Sequence, residues 1–364
     1  MNIQLAGREH EQGLRELLSN TPMPGWIHVT FDTNPDFFQA ISVHGHSNQT
    51  LVAVEDGRVL GMGCRSIKPM LVNGSKMSIG YLSGLRLLPE IRRSGLLARG
   101  YRALKNLHDS NPVPAYLTTI IESNRRARKL LTSGRATLPH YLDYGHYFSY
   151  AINLRKGRRK FSSGIDIRKG EEVGLSAILS FLAEHGRSSQ FFPVIEEKDI
   201  GSEFLRGLRL ADFRAAVGGR GEIIGVSAVW NQCIFKQNNV RSYASPIRIL
   251  RPAINTVLFM SGYRPLPVPG EALNSLYVSF NCVRNNDPEI FRALLERIYS
   301  EHQAGVYHFL FLGLHERDPL RATLSHFPIF RYKSHCYLVC WNDGLDFVKS
   351  LDPERIPYIE LATM

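Results

Sequence analysis

Leu82-Ser-Gly-Leu-Arg-Leu-Leu-Pro-Glu-Ile-Arg-Arg-Ser-Gly-Leu-Leu-Ala-Arg-Gly-Tyr-Arg-Ala-Leu104 changes its period midway. An apolar run stops at Pro89, a short basic loop follows, and beyond Gly95 the apolar residues recur at helical spacing. A strand that feeds a helix in this way aims the helix's free N–H groups and positive dipole end at whatever binds there. Arg92 and Arg93 add charge beside that end, and Gly95 lets the backbone approach closely. A phosphate suits such a loop. So does a plain strand-to-helix turn with solvated arginines, and the surrounding sequence has to choose between them.

Outward from this loop, Met77 to Leu88 reads as a strand and Ser94 to His108 as a helix. Ala115 to Ile121 is the next strand, Asn124 to Leu131 the next helix, and Leu142 to Leu154 a closing strand pair. Upstream, Leu51 to Gly63 reads as a hairpin turning at Asp56-Gly57, a dipeptide that tolerates positive φ. The pattern then comes again. Asn2-Ile3-Gln4-Leu5 and its helix through Leu14, Leu17 and Leu18 match Asp166-Ile167-Arg168 followed by Ile178, Phe181 and Leu182. Gly61 in the hairpin matches Gly225, 164 positions later, in a hairpin that Gly218-Gly219 is expected to turn. Tyr81-Leu82-Ser83 matches Tyr277-Val278-Ser279 at an offset of 196, the jump being a Pro-rich insertion near Pro246 to Gly270. Four matches in one order imply two copies of one α+β fold with a mixed sheet. The expected division is residues 1–154, a basic Ser/Gly linker at 155–164, and residues 165–364. The second copy has Asp287-Pro288 where the first has its basic loop, a helix start whose negative cap repels phosphate.

The loop, its strand, the preceding hairpin and the segment after it resemble the GNAT family of acyl-CoA N-acyltransferases. Arg92, Gly95 and Leu97 stand at the family's Arg/Gln-x-x-Gly-x-Gly/Ala signature, with leucine in the last, normally small, position. The resemblance implies tandem GNAT-like folds and acetyl-CoA or another acyl-CoA as co-substrate. Its pyrophosphate would lie on Arg92, Arg93, Ser94, Gly95, Leu96 and Leu97. Backbone N–H groups around Leu85 and Leu87 would polarise the thioester carbonyl. Asn124, in the Asn-x-x-Ala spacing of the next helix, would lie near the thiol end, a role compatible with capping that helix. The family's usual tyrosine acid is replaced by Leu131, which leaves Tyr141, Tyr144 or Tyr147, with Tyr144 taken as the acid. Glu122, at the end of a strand lining the cleft, is the expected base, whereas His44 and His46 read as structural.

Composition bounds the rest. The 364 residues are 44% hydrophobic and 21% charged, a globular balance that excludes a disordered chain. A formal charge of +11 suits a polyanion, which can be a phosphorylated co-substrate or nucleic acid. Tandem copies of this fold also occur in Fem-type transferases that use aminoacyl-tRNA, the alternative reading, and an acyl-CoA sensor is a second alternative. The acceptor is expected to be a small-molecule or peptide amine. Five scattered cysteines without finger spacing imply reduced thiols and no metal. With no leader-like opening and no spanning segment, the expectation is a cytoplasmic protein without a membrane partner, able to pair with a second copy.

Overall fold

The computed structural model describes residues 1–23, 25, 27–91, 95–135, 138–155 and 164–364; the expected pyrophosphate residues Arg92, Arg93 and Ser94 lie outside the described residues. The first half contributes strands β1 (Asn2–Leu5), β2 (Ile27–Asp32), β3 (Ser47–Glu55), β4 (Arg58–Val72), β5 (Ser75–Leu87), β6 (Tyr116–Ile121) and β7 (His140–Asn153). The second contributes β8 (Asp166–Lys169), β9 (Phe213–Val217), β10 (Ile223–Trp230), β11 (Gln237–Tyr243), β12 (Ser275–Val283), β13 (Phe309–His315) and β14 (Ile329–Cys340). Helices are α1 (Glu11–Asn20), α2 (Phe37–Ser42), α3 (Leu96–Ser110) and α4 (Arg125–Leu131), then α5 (Leu175–His185), α6 (Ser245–Met260) and α7 (Pro288–His302).

Twelve strands run in the order β1-β3-β4-β5-β6-β14-β7-β13-β12-β10-β9-β8, and Phe192–Pro193 pairs with β4 to complete a 13-stranded sheet. The order is a palindrome when each strand is replaced by its counterpart in the other half. At the centre the halves exchange strands. β14 lies between β6 and β7, and β7 lies between β14 and β13. The stretch expected to hold a closing strand pair is therefore one 14-residue strand, whose partners come from the second half. The second hairpin also differs from expectation. Its turn is the loop Gly218–Glu222, closed by Gly218 N–H to Glu222 O, and Gly221 rather than Gly218-Gly219 takes the positive φ of 84°.

Side-chain alternation sorts the helices onto two faces. Tyr116 and Ile120 of β6 pack with Tyr101 and Leu104 of α3 and Leu131 of α4, while Phe148, Tyr150 and Ile152 of β7 pack with α7 on the same face. On the other face lie α1 against Val52 and Met62, and α5 against Val226, Ala228 and Trp230. Gly61 and Gly225 explain their match in sequence. A Cβ on Gly61 would strike Leu87 of the next strand with Leu96 of the helix in contact behind it, and one on Gly225 would crowd Val283, Ile290 and Leu294.

Candidate functional site

β5 and β6 are parallel neighbours only at Gly80–Tyr116 and Tyr81–Leu117. Beyond these, Thr118 Oγ1 donates to Leu82 O at 2.8 Å and the strands part. The cause lies in β5. Its register against β4 slips between Met62 and Cys64, and Gly84 adopts φ 63° opposite the slip. A bulge turns one strand away from its neighbour and leaves main-chain groups out of the ladder. Across the opening stands α3, a 15-residue helix whose cap, Gly95 at φ 69°, has no side chain to bond the first turn, and that turn holds no acidic residue. Nothing lies within 4 Å of where a Gly95 Cβ would be. Leu87 and Leu96 pack inward with Ala53, Leu60 and Ile91, and Leu97 packs toward Leu82 and Tyr116. The leucine at the normally small position therefore packs toward the core.

On the opposite face the bulge meets a buried polar group. Ser83 Oγ lies 3.4 Å from His44 Nδ1, and the His44 ring abuts Tyr81 edge-on. Burial, with Lys236 and Lys68 nearby, holds His44 well below its ordinary pKa, so it is neutral at pH 7. Lys68 donates to the Thr363 carbonyl at 3.2 Å and to its hydroxyl, and Lys236 donates to Met364 O at 2.8 Å. Burial pushes these ammonium groups down to about 7 and about 8. Sequence reasoning passed over this trio. Lys68 carried a usable signal, a lone cation inside the apolar strand Ile67-Lys-Pro-Met-Leu-Val72. His44 carried none, because the segment that buries it is far away in the chain.

Glu122 and Tyr144 fall on opposite faces of the sheet. Glu122 is half-exposed and pairs with Lys333 Nζ at 2.9 Å, which keeps its carboxyl below the ordinary value and holds it away from the bulge in an ion pair. Tyr144 sits in a break in alternation beside Gly145 (φ 85°) and packs against Phe191 and His315, where burial raises its phenol. Asn124 caps α4, its Oδ1 accepting from Ala127 N–H at 3.2 Å, and Leu85 is exposed on the bulge. Glu122, His146 and His335 bring ligand-type atoms within 4.8 Å of one another. Two cations already serve that group, Lys333 on Glu122 and the Arg128 guanidinium on His335 Nε2, so the donor set is compensated without an ion.

The second half has the same bulge, filled. β12 slips against β10 between Val226 and Ala228, and Phe280, 196 residues after Gly84, takes φ 53°. Its ring is fully buried, stacked between Phe213 and Trp230. Phe280 N–H donates to Glu360 Oε2 at 2.7 Å and Asn281 N–H to Tyr358 Oη at 3.1 Å, so the chain's last residues occupy this opening. Its helix α7 is capped by Asp287, as the sequence implies, with Oδ1 accepting from Glu289 N–H at 2.8 Å.

Solved structures share this architecture. Saccharomyces cerevisiae N-myristoyltransferase with bound myristoyl-CoA superposes with a TM-score of 0.59 at 10% identity, over 93% of this chain and 82% of that one. A second structure of that enzyme gives 0.58 at 10% identity, over 95% and 80%. A conserved Enterococcus faecalis V583 protein described as a probable N-acyltransferase gives 0.48 at 14%, over 94% and 74%. No family model matches the chain, and no curated protein sequence matches it.

Proposed function

We propose that this chain, which has the GNAT-superfamily fold in tandem, is an acyl-CoA-dependent N-acyltransferase whose first half binds the donor. The observation that carries this reading is the asymmetry of the two openings. One keeps a glycine at the bulge and a glycine as the helix cap, and the other is plugged at the bulge and capped with carboxylate at the helix. In the open half, the first-turn N–H groups of α3 at Gly95, Leu96 and Leu97 face the place for a pyrophosphate, and Arg92-Arg93 precede them in sequence. The pantetheine arm would run between β5 and β6 to the bulge.

There the amine nitrogen attacks the thioester carbon, forming C–N as the carbonyl electrons move to oxygen. The Gly84 and Leu85 N–H groups, counterparts of the two that Glu360 and Tyr358 occupy in the second half, would hold that oxyanion. Collapse breaks C–S, and a thiol of pKa about 8.5 leaves as the thiolate without needing an acid. The proton lost from nitrogen goes to neutral His44, directly or through Ser83, in place of the ion-paired Glu122. Acetyl-CoA is the first donor to try, with longer acyl-CoAs beside it.

The test is thermal unfolding with acetyl-, octanoyl- and myristoyl-CoA and with tRNA, followed by an amine and peptide screen read by release of free thiol. A donor at one hundred times its Kd adds about 2.7 kcal/mol, a shift of several degrees for a chain of this size. His44→Gln is expected to keep that shift and lose about 10²-fold or more in turnover. A shift with tRNA and none with any acyl-CoA would overturn the reading in favour of aminoacyl-tRNA. A shift with acyl-CoA but no thiol release with any amine would favour a sensor.

A further inference from the structure

The Pro-rich insertion that separates the two repeat offsets forms α6, and it is the least protected helix of the described chain. None of its 16 residues is buried. One side, through Ile247, Ile254 and Leu258, rests on Val29, Val240 and Tyr243 of the two-stranded sheet β2–β11. The opposite side is apolar too. Ile249 is 72% exposed, Leu250 56%, Val257 63% and Met260 80%, and Ala253 lies between them on the same stripe. A surface helix ordinarily turns charge to the solvent, and one that turns an aliphatic stripe outward as well as inward is built for a second apolar environment. Ile249, Ala253, Val257 and Met260 recur at intervals of four, four and three, so they form a continuous ridge.

Charge specifies the environment. From Val240 to Gly270 the sequence holds Arg241, Arg248, Arg251 and Arg264 and no acidic residue. Arg241 and Arg248 are exposed, and Arg155 reaches the far end of the helix, donating to Ser261 O at 2.9 Å. Aliphatic side chains flanked by an excess of arginine, with Glu271 the first carboxylate beyond them, match the boundary between acyl chains and anionic headgroups. Sixteen residues at 1.5 Å each make a helix of about 24 Å, short of a bilayer's hydrocarbon core, and no described helix is long and apolar enough to cross a membrane. A helix lying in the interface needs no such span. We propose that the outer face of α6 docks on an anionic lipid bilayer, holding the protein on the membrane surface. The sequence expectation of no membrane partner rested on the lack of a spanning segment, which does not bear on a surface helix.

The experiment is flotation of the full chain with vesicles of phosphatidylcholine alone and of phosphatidylcholine with an equal part of phosphatidylglycerol, at low and high salt. The double variant Ile249→Glu/Val257→Glu runs in parallel, with light scattering to give the oligomeric state of both proteins. Both side chains are exposed, so the variant should melt within a degree or two of the parent. The proposal expects flotation with the anionic vesicles, weakening with salt, and at least a tenfold loss in the double variant. Failure of the parent to float overturns it. Equal flotation of parent and variant overturns it as well, since the basic surface alone would then be responsible. A parent that is dimeric where the variant is monomeric, with no flotation, assigns the face to a second copy.

Discussion

Gly84 in β5 and Phe280 in β12 occupy the same bulge in the two halves, with φ of 63° and 53°. In the first half a notional Cβ already comes within 3.2 Å of Cys64 Sγ and Met62 Cε, and glycine leaves that place without a side chain. In the second, a whole phenyl ring sits there, in a backbone region costly for any residue but glycine. That cost is met by packing on Phe213 and Trp230 and by Glu360 accepting the displaced N–H. The serine beside each bulge divides the same way. Ser83 Oγ faces His44, whereas Ser279 Oγ is buried with no hydrogen-bond partner among the described residues. One backbone design thus carries glycine in the half proposed to bind the donor and a buried ring in the other.

Exchanging the two residues strikes this contrast hardest. Gly84→Phe should abolish the acyl-CoA-induced melting shift outright and destabilise by about 1–3 kcal/mol through overpacking. Phe280→Gly should cost about 2–4 kcal/mol in urea unfolding, the loss of a buried ring partly offset by relief of the positive φ. It should gain no donor binding, because Glu360 and Tyr358 still hold the N–H groups. A Gly84→Phe protein that melts higher with acyl-CoA would place the donor elsewhere.

Much of this symmetry was legible in the sequence, and the reason is local. β1 and β8, the paired glycines, the Tyr-x-Ser strands and the Asp287 cap each depend on residues within a few positions of one another. The exchange of β7 and β14 was not legible. Alternation says that residues 140–153 form a strand, but nothing in it names Ile329–Cys340 and Phe309–His315 as neighbours. The same limit hid His44, whose neutrality comes from burial against residues of both halves, and made Glu122 look freer than its pairing with Lys333 leaves it. The exposed ridge of α6 escaped because that stretch reads in sequence only as a Pro-rich insertion, and exposure is a property of the packing.

The two helix ends offer a milder exchange. Gly95 caps α3 without a side chain where Asp287 caps α7 with negative charge. Gly95→Asp and Gly95→Asn place nearly the same atoms at a position with room for them, and both residues tolerate the left-handed backbone better than most. The aspartate should weaken acyl-CoA binding by about tenfold relative to the asparagine, about 1.4 kcal/mol. Calorimetric affinities that agree within twofold would show that the pyrophosphate does not lie at this helix end.

The smallest expected effect concerns how the halves grip the chain's last residues. Lys68 and Gln232 stand 164 positions apart, both buried, and each donates to that segment, Lys68 to Thr363 O and Gln232 Nε2 to Ala362 O at 2.9 Å. Only the first titrates. Its ammonium, facing Glu360, Lys236 and the Tyr81 ring, falls from 10.5 to about 7 on folding. A depressed folded pKa means that the unfolded chain binds the extra proton between pH 7 and 10.5, so this contribution to stability is full above 10.5 and is lost as pH falls toward 7. Lys236, down to about 8, adds the same sign over a narrower window, and the raised thiols of Cys64 and Cys282 add the opposite sign above pH 9. Only a difference curve isolates Lys68. Lys68→Gln gives the first half the neutral donor of the second, and the parent should gain on this variant by up to about 1.4 kcal/mol per pH unit from pH 7 to 9.5. Parallel stability curves over that range would mean that the Lys68 ammonium is hydrated in solution, and that the first half is more open at this point than the second.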